Sequence, residues 1–346
     1  MAVDGLKGGI STGKYSRQTL FAPLGEEGQR CLMSSRAVIV GCGALGSFHA
    51  AALARAGVGE VVLIDRDFVE ESNLQRQWLY DERDAREGLP KAIAAERKLR
   101  AVNSEISVTG IVTDVDATNV ERLIQGADVI LDGSDNFAVR YLLNEAAVKN
   151  SIPWIYGAAV GSYGVTATIL PGRSPCLACL LPDVPGGAQP TCDTAGILNV
   201  AASAVASFQT ADALKILSGH SEAVEPRLLT LDVWQGSPRA VAVGDPDPEC
   251  RVCAQREFTL LNAAGTRPGT ILCGRNAIQV RGDSPIDIEV LAARLGALGE
   301  VRTNEYALRF VTPPYEMAIF VDGRAIIKGT DDPAKARSLY SRFLGR

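Results

Sequence analysis

The sequence predicts an α/β fold in which a mostly parallel sheet is flanked by helices and followed by a small C-terminal α+β domain. Three observations carry this. Short apolar runs alternate with helical segments through the first half, and a glycine turn, Gly41-Cys-Gly43-Ala-Leu-Gly46, opens a helix directly after one such run. The composition also changes after Asp245-Pro-Asp-Pro-Glu. Alternating strands and helices imply parallel pairing through helical crossovers, and a glycine turn between strand and helix makes the arrangement Rossmann-like.

Ala37–Gly41 and Glu60–Asp65 read as strands flanking a small-residue helix, Ala44–Gly57. Lys91–Val102 continues as helix, Ser107–Val112 as strand, Asn119–Gly126 as helix and Ala127–Asp132 as strand, ending on an acid. Arg140–Lys149 is helical, and Pro153–Tyr156 and Gly164–Leu170 are extended. Leu181–Thr191, rich in proline and glycine, reads as a mobile loop. A buried helix over Ile197–Ser218 follows. In the last segment Ala277–Val280 and Glu305–Val311 are strands, Ile288–Leu298 a helix, and Met317–Val321 with Ala325–Lys328 a hairpin turned at Asp322-Gly323. Pro333–Leu344 closes the chain as a helix capped by Asp332.

The 346 residues, 47% apolar and 22% charged, can bury a core. With 35 basic and 40 acidic side chains the net charge is −5, which gives no general affinity for nucleic acid or anionic lipid. Any polyanion must therefore meet a few placed cations. The 18 uncharged residues between Asp193 and Asp212 are interrupted by Asn199, Ser203, Ser207 and Gln209, too polar for a membrane span. No basic start followed by an apolar core marks secretion, so a cytoplasmic setting with reduced thiols is expected. Two histidines, His49 and His220, leave most hydrolase and metalloenzyme schemes short of parts, and His49 on its small-residue helix reads as a packing residue.

The glycine turn lets a phosphate approach the positive end of a helix, and Asp65 ends the next strand where a ribose hydroxyl would sit. By itself this favours NAD. The run Asp65-Arg-Asp67-Phe-Val-Glu-Glu-Ser-Asn73-Leu-Gln-Arg76-Gln77, with Lys91 beginning a later helix, suits a triphosphate better, because a dinucleotide needs fewer cations. Leu131-Asp132-Gly-Ser-Asp135-Asn136 adds carboxylates at the carboxyl end of a later strand, of the kind that hold Mg²⁺ through one or two acids.

Tyr15-Ser-Arg17-Gln18, the glycine turn, Asp65-x-Asp67, Ser72-Asn73-Leu-x-Arg76-Gln77, Lys91, Asp135-Asn136-Phe-x-x-Arg140, Pro175-Cys176-x-x-Cys179 and Thr191-Cys192-x-x-Ala195-Gly196 occur in that order. Together they resemble the ThiF/MoeB family, bacterial relatives of ubiquitin-activating enzymes, from about residue 15 to 253. The resemblance implies adenylation, with ATP and Mg²⁺, of the C-terminal glycine of a small ubiquitin-like sulfur carrier ending in Gly-Gly. It places Asp65 on the ribose, Asn73, Arg76 and Lys91 on the phosphates, and Asp135 on Mg²⁺, and it implies a homodimer in which Arg17 reaches the neighbouring subunit's ATP. The nucleotide-binding set is thus Gly41, Gly43, Gly46, Asp65, Asp67, Asn73, Arg76, Gln77, Lys91, Asp135 and Asn136, and the catalytic set Arg17, Arg76, Asp135 and Cys192. An NAD-dependent oxidoreductase and a nucleotide-binding scaffold without turnover are the competing readings. The first leaves the Ser-Asn-Leu-x-Arg-Gln run unexplained, and the intact charged set argues against the second.

Cys176-x-x-Cys179 and Cys250-x-x-Cys253 form two knuckles, the donor set of a closed structural Zn²⁺ site joining the α/β domain to the last segment. Cys192, just before the predicted buried helix, is placed where a helix N-terminus favours thiolate, and it could accept the acyl group or carry sulfur. Cys31, Cys42 and Cys273 are expected as small packing residues. These readings divide the chain into an N-terminal tail (1–14), an ATP-binding adenylation domain with zinc knuckles (15–253) and a small domain (254–346). The small domain shows no recognisable rhodanese loop, so sulfur must come from an external donor, and either carrier docking or dimer stabilisation would suit it.

Overall fold

The structure, a computed structural model, describes residues 13–182, 191–263, 270–272, 277–280, 282 and 284–345. Eight strands form the first sheet: β1 (Arg36–Val40), β2 (Glu60–Asp65), β3 (Ser107–Val112), β4 (Val129–Asp132), β5 (Trp154–Val160), β6 (Tyr163–Ile169), β7 (Arg227–Asp232) and β8 (Ser237–Ala242). Their order is β3-β2-β1-β4-β5-β6-β7-β8. The pairs from β3 to β5 are parallel and those from β5 to β8 antiparallel. This is the expected mostly parallel α/β sheet.

The central strands are continuous apolar runs because both faces are covered. Along β1, β2 and β4, Val38, Val40, Val62, Ile64 and Ile130 enter one core with helix α3 (Phe137–Asn150). Ala37, Ile39, Val61, Leu63 and Leu131 enter the other, with α1 (Ala44–Ala56), α2 (Lys91–Val102) and α4 (Asn199–Leu217). Alternation along a strand sends neighbouring residues to opposite faces, so each apolar run serves both cores. Among the described residues no helix is long and apolar enough to cross a membrane.

The β7–β8 hairpin was not legible in the sequence. β8 is an exposed edge strand containing Pro238 and Arg239, and it has no apolar alternation to announce it.

The last segment forms a six-stranded antiparallel sheet, ordered β11-β12-β13-β14-β10-β9. Its strands are β9 (Thr270–Leu272), β10 (Ala277–Val280), β11 (Glu300–Thr303), β12 (Ala307–Thr312), β13 (Tyr315–Phe320) and β14 (Ala325–Lys328). Helices α5 (Ile288–Leu295) and α6 (Pro333–Leu344) cover one face. Asp332 caps α6, accepting from the Ala334 N–H at 2.8 Å, and Gly323 turns the β13–β14 hairpin with φ of 88°.

Candidate active site

The parallel strands bring Gly41, Asp65 and Gly133 to one edge, where β1, β2 and β4 end. The three glycines of the first turn are not equivalent. A Cβ on Gly46 would lie 1.7 Å from the Gly41 carbonyl oxygen, and one on Gly41, whose φ is +89°, would lie 2.5 Å from the Gly133 oxygen. Both therefore serve the close approach of two turns. Among the described residues Gly43 has only the Gln77 amide and the Gly133 oxygen within about 4 Å of such a Cβ, the nearer at 3.9 Å, so of the three it is the one that opens a cradle. Beside it, Gln77 is buried with its amide oxygen lacking a hydrogen-bond partner among the described residues. A buried acceptor without a partner is costly unless a ligand supplies the donor.

Asp65 is held in a fixed orientation. Its two oxygens accept from the backbone N–H groups of Cys42 at 2.6 Å and Asp67 at 2.7 Å, leaving further lone pairs for ligand hydroxyls. Burial pushes its carboxyl up, and the nearby Lys91 ammonium acts against that rise. Lys91 begins α2, with its Nζ 3.5 Å from Asp67 Oδ2. The buried Tyr80 hydroxyl lies 2.8 Å from the Cys42 carbonyl oxygen and 3.2 Å from that of Lys91, joining the glycine turn to the start of α2.

Asn73 is buried and its side-chain oxygen accepts from the Glu70 N–H at 3.2 Å, closing a short turn. From the same turn Arg76 donates to the Ser72 carbonyl at 2.7 Å. Asn136 caps α3, accepting from the Ala138 N–H at 2.8 Å, which puts the exposed Asp135 just outside that helix and among the charges acting on Arg66. Asp132, read from sequence as a crevice carboxylate, is fully buried, accepts from the Ser134 N–H and hydroxyl, and lies 3.4 Å from the Arg140 guanidinium. Burial raises its carboxyl pKa, with Arg140 opposing.

Sequence reasoning missed Arg66, Asp114, Tyr80 and Gly133. Arg66 and Gly133 had a signal, being adjacent to Asp65 and Asp132 at strand ends, whereas Asp114 and Tyr80 matter only through partners distant in the chain.

Two candidate residues lie away from this group. Arg17 is exposed on the turn Ser16–Thr19, which docks at the opposite end of α1: the Gln18 amide donates to the Ala56 carbonyl at 2.8 Å, and the Tyr15 ring sits where a Gly57 side chain would go. Cys192 starts a separate four-residue helix, Cys192–Ala195, and α4 begins only at Asn199. The extended Leu198 and Gly196, with φ of +73°, separate the two, so Cys192 is not at the long helix's N-terminus as expected. Its Sγ lies 3.9 Å from the Ala159 carbonyl oxygen near the end of β5. Most of the Leu181–Thr191 loop, residues 183–190, and Cys273 lie outside the described residues. Cys42 is buried, whereas Cys31 is only half-buried.

The two cysteine knuckles meet. Sγ separations are 3.9 Å for Cys176–Cys179, 3.7 Å for Cys176–Cys250 and 3.4 Å for Cys179–Cys253, and all four sulfurs lie within 4.8 Å of one another. Tetrahedral sulfurs ~2.3 Å from a zinc ion are ~3.8 Å apart, so the donor set fits structural Zn²⁺. Burial pushes the Cys176 thiol up to about 11, and a bound cation would reverse that by stabilising the thiolate.

His49 is fully buried on α1 and pairs with Gln209 at 3.0 Å, as a packing residue should. The Gln209 amide also donates to the Asp132 and Ile155 carbonyls, each at 3.1 Å.

A glycine cradle, an oriented carboxylate and a sequestered lysine along a parallel sheet edge define a nucleotide-binding α/β protein, and the closed cysteine knuckle narrows the class further. Residues 15–252 match the ThiF family, and the chain belongs to that family. It is similar to the sulfur carrier protein ThiS adenylyltransferase of Bacillus subtilis (strain 168), 49% identical over 339 residues, 96% of this chain and 100% of that one. It is also similar to the SAMP-activating enzyme E1 of Haloferax volcanii, 40% identical over 243 residues, 70% of this chain and 88% of that one. The crystal structure of E. coli MccB with ATP superposes with a TM-score of 0.60 at 25% identity, covering 70% of this chain and 75% of that one.

Proposed function

We infer that this chain is an ATP-dependent adenylyltransferase that activates the C-terminal glycine of a ubiquitin-like sulfur carrier, forming acyl-AMP and pyrophosphate ahead of thiocarboxylate formation. The observation that carries this is the open Gly43 cradle on the same edge as oriented Asp65 and buried Lys91, in a chain that matches an adenylyltransferase over 96% of its length.

In this reading Gly41 and Gly46 shape the phosphate turn, and Gly43 and Gln77 receive the nucleotide. Asp65 takes the ribose hydroxyls, while Asn73, Arg76 and Lys91 meet the phosphates, with Asp67 holding Lys91 in place. Asp135, presented by the Asn136 cap, would hold Mg²⁺, which when bound offsets charge on the triphosphate. A carrier carboxylate oxygen attacks the α-phosphorus, the bond to the bridging oxygen breaks, and pyrophosphate leaves with the electron pair. The nucleophile is already ionised at neutral pH, so no general base is required. The Cys192 thiolate then attacks the acyl carbon and AMP leaves with the electron pair of the broken C–O bond, giving a thioester. Alternatively a Cys192 persulfide, its outer sulfur supplied by an external sulfane-sulfur donor, attacks the same carbon with loss of AMP to give an acyl persulfide.

Residues 15–253 form the adenylation domain and 254–346 the small domain in this assignment, the first residues of the latter reaching back to α3 where the Leu260 and Leu261 N–H groups donate to Glu145, with residues 1–14 as a tail. The carrier ends in Gly-Gly, the setting is cytoplasmic, and the working unit is a homodimer. Arg17 supports the dimer: α1 has 13 residues and is about 20 Å long, and Arg17 sits at the end opposite the glycine turn, beside exposed Leu20 and Phe21. It can therefore serve a second copy's nucleotide but not its own.

The test is ATP–pyrophosphate exchange with and without a Gly-Gly-ended carrier. Exchange that needs the carrier and disappears in Asp135→Ala is expected. Exchange indifferent to the carrier, or unaffected by that substitution, refutes the reading.

A further inference from the structure

The centre of the small domain's sheet is buried on both faces. Ile278, Leu308, Met317 and Ile327 enter the core beneath α5 and α6, while Ala277, Ala307, Phe320 and Ile326 point the other way, toward Phe68 and Val112 of the first domain. Phe320 stacks on Phe68 with ring centroids 5.1 Å apart, Lys328 pairs with Glu70, and the Asn304 amide donates to the Gly88 carbonyl at 2.9 Å. Phe68, Glu70 and Gly88 all lie between Asp65 and Lys91, in the segment that carries the candidate phosphate contacts.

A polar side chain stands at this interface. Gln279 is 2% exposed, and its Nε2 donates to Asp114 Oδ2 at 2.8 Å. The other Asp114 oxygen accepts from Arg66 Nη1 at 2.8 Å. Arg66 Nε lies 3.8 Å from Asp67, and Asp67 is the partner of Lys91. Burying an amide costs free energy unless it is well bonded, and an apolar residue would dock two domains without that cost. The amide therefore points to a role beyond docking.

We propose that Gln279 is a positioning residue for nucleotide binding, fixing Arg66 through Asp114 and thereby keeping the Asp67–Lys91 pair and Asp135 set for ATP. This rests on the adenylation reading for the identity of the ligand. Asp114, Asp67, Asp135 and Asp65 all act on the Arg66 charge. Released from Asp114, the guanidinium turns to the other three, where it displaces Lys91 from Asp67 or competes with Mg²⁺ at Asp135. The small domain thus sets the ATP affinity of the large one.

The experiment is calorimetric titration of the full chain with ATP and Mg²⁺ in the absence of carrier. In Gln279→Leu, ATP binding weakens about five- to tenfold, as partial transmission of one lost hydrogen bond to a charged group predicts, and half-saturation requires more Mg²⁺. Asp114→Asn, which leaves the small sheet untouched, gives the same two changes and carries the test if the leucine variant does not fold. The double variant binds no more weakly than the weaker single one. Unchanged ATP affinity in the folded variants, or losses that simply add, overturns the proposal. Carrier-dependent exchange by the wild type is measured separately: its absence alongside ATP binding refutes the adenylation reading, whereas its presence with unaltered variant affinities refutes this one alone.

Discussion

The Lys91 ammonium lies 3.5 Å from the Asp67 carboxylate with its side chain only 4% exposed, so the cation proposed to meet the triphosphate is kept out of water beside an acid of its own chain. Removing one member of a buried pair costs up to about 3 kcal/mol, and the Arg66 guanidinium, 3.8 Å from Asp67, offsets part of that here. Lys91→Met is expected to lose about 1–3 kcal/mol of stability and, with the proposed phosphate cation gone, at least about a hundredfold in pyrophosphate exchange. Adding Asp67→Asn recovers much of the stability and none of the exchange. Urea unfolding and exchange assays on the same samples separate the two effects. Near-normal exchange in Lys91→Met removes Lys91 from the phosphate site.

Gly43 and Gly46 offer a sharper comparison, because they share a turn but not an environment. Among the described residues a methyl group on Gly43 meets no atom closer than 3.9 Å, whereas one on Gly46 meets a backbone oxygen at 1.7 Å. Gly46→Ala should therefore fail to fold or lose several kcal/mol, at the severe end of what single substitutions do. Gly43→Ala should keep its stability within about 0.5 kcal/mol, as substitutions clear of packing do, while weakening ATP binding about tenfold. Calorimetry with ATP alongside thermal unfolding decides it. Full ATP affinity in Gly43→Ala removes this glycine from the cradle.

The same contrast explains what sequence reading could reach. β1 and β2 were legible because burial on both faces leaves continuous apolar runs, and Asp65 was legible because a strand ended on it. The burial of Asp132 was not, since it depends on Arg140 folding back from α3. The displacement of Cys192 from α4 turns on the conformation of one glycine, Gly196, which residue identity permits without dictating. Ala325-Ile-Ile-Lys328 did signal a strand, but its second apolar face finds Phe68 only through tertiary docking. Contacts made across long chain separation leave no local periodicity to read.

Zinc content gives a third test. Cys176 and Cys250 are buried, Val252 and Leu261 lie in the core beside α3, and the Leu177 N–H is bonded to Asn144 of that helix. A metal joining these segments would stabilise the α/β domain through the Asn144 turn of α3, whereas the candidate nucleotide residues gather at the ends of β1, β2 and β4. One zinc per chain is expected by elemental analysis. Cys179→Ala or chelation removes it and lowers Tm by about 5–10 °C, corresponding to a few kcal/mol in a domain of this size. ATP binding in Cys179→Ala below the new transition temperature stays within a few fold of wild type. Metal-free protein with an unchanged Tm shows instead that the four thiols are not a structural site.

The buried His49 makes acid stability testable, with a definite sign. Burial lowers its pKa from 6.5 to about 4, with the Gln209 hydrogen bond opposing the shift only in part. The unfolded chain takes up this proton near pH 6.5 and the folded chain only near 4. Its contribution to stability is therefore intact above 6.5 and falls as the pH drops through the window between those values. At pH 5 the loss amounts to about 2 kcal/mol. Asp65 and Asp132, whose carboxyls are raised by burial, act in the opposite direction, but they do so equally in wild type and variant and cancel in the comparison. His49→Gln leaves Gln209 a polar partner and removes the titration. Urea midpoints at pH 7.5 and pH 5 should fall less for His49→Gln than for wild type, and an equal fall in both assigns the acid sensitivity to some other group.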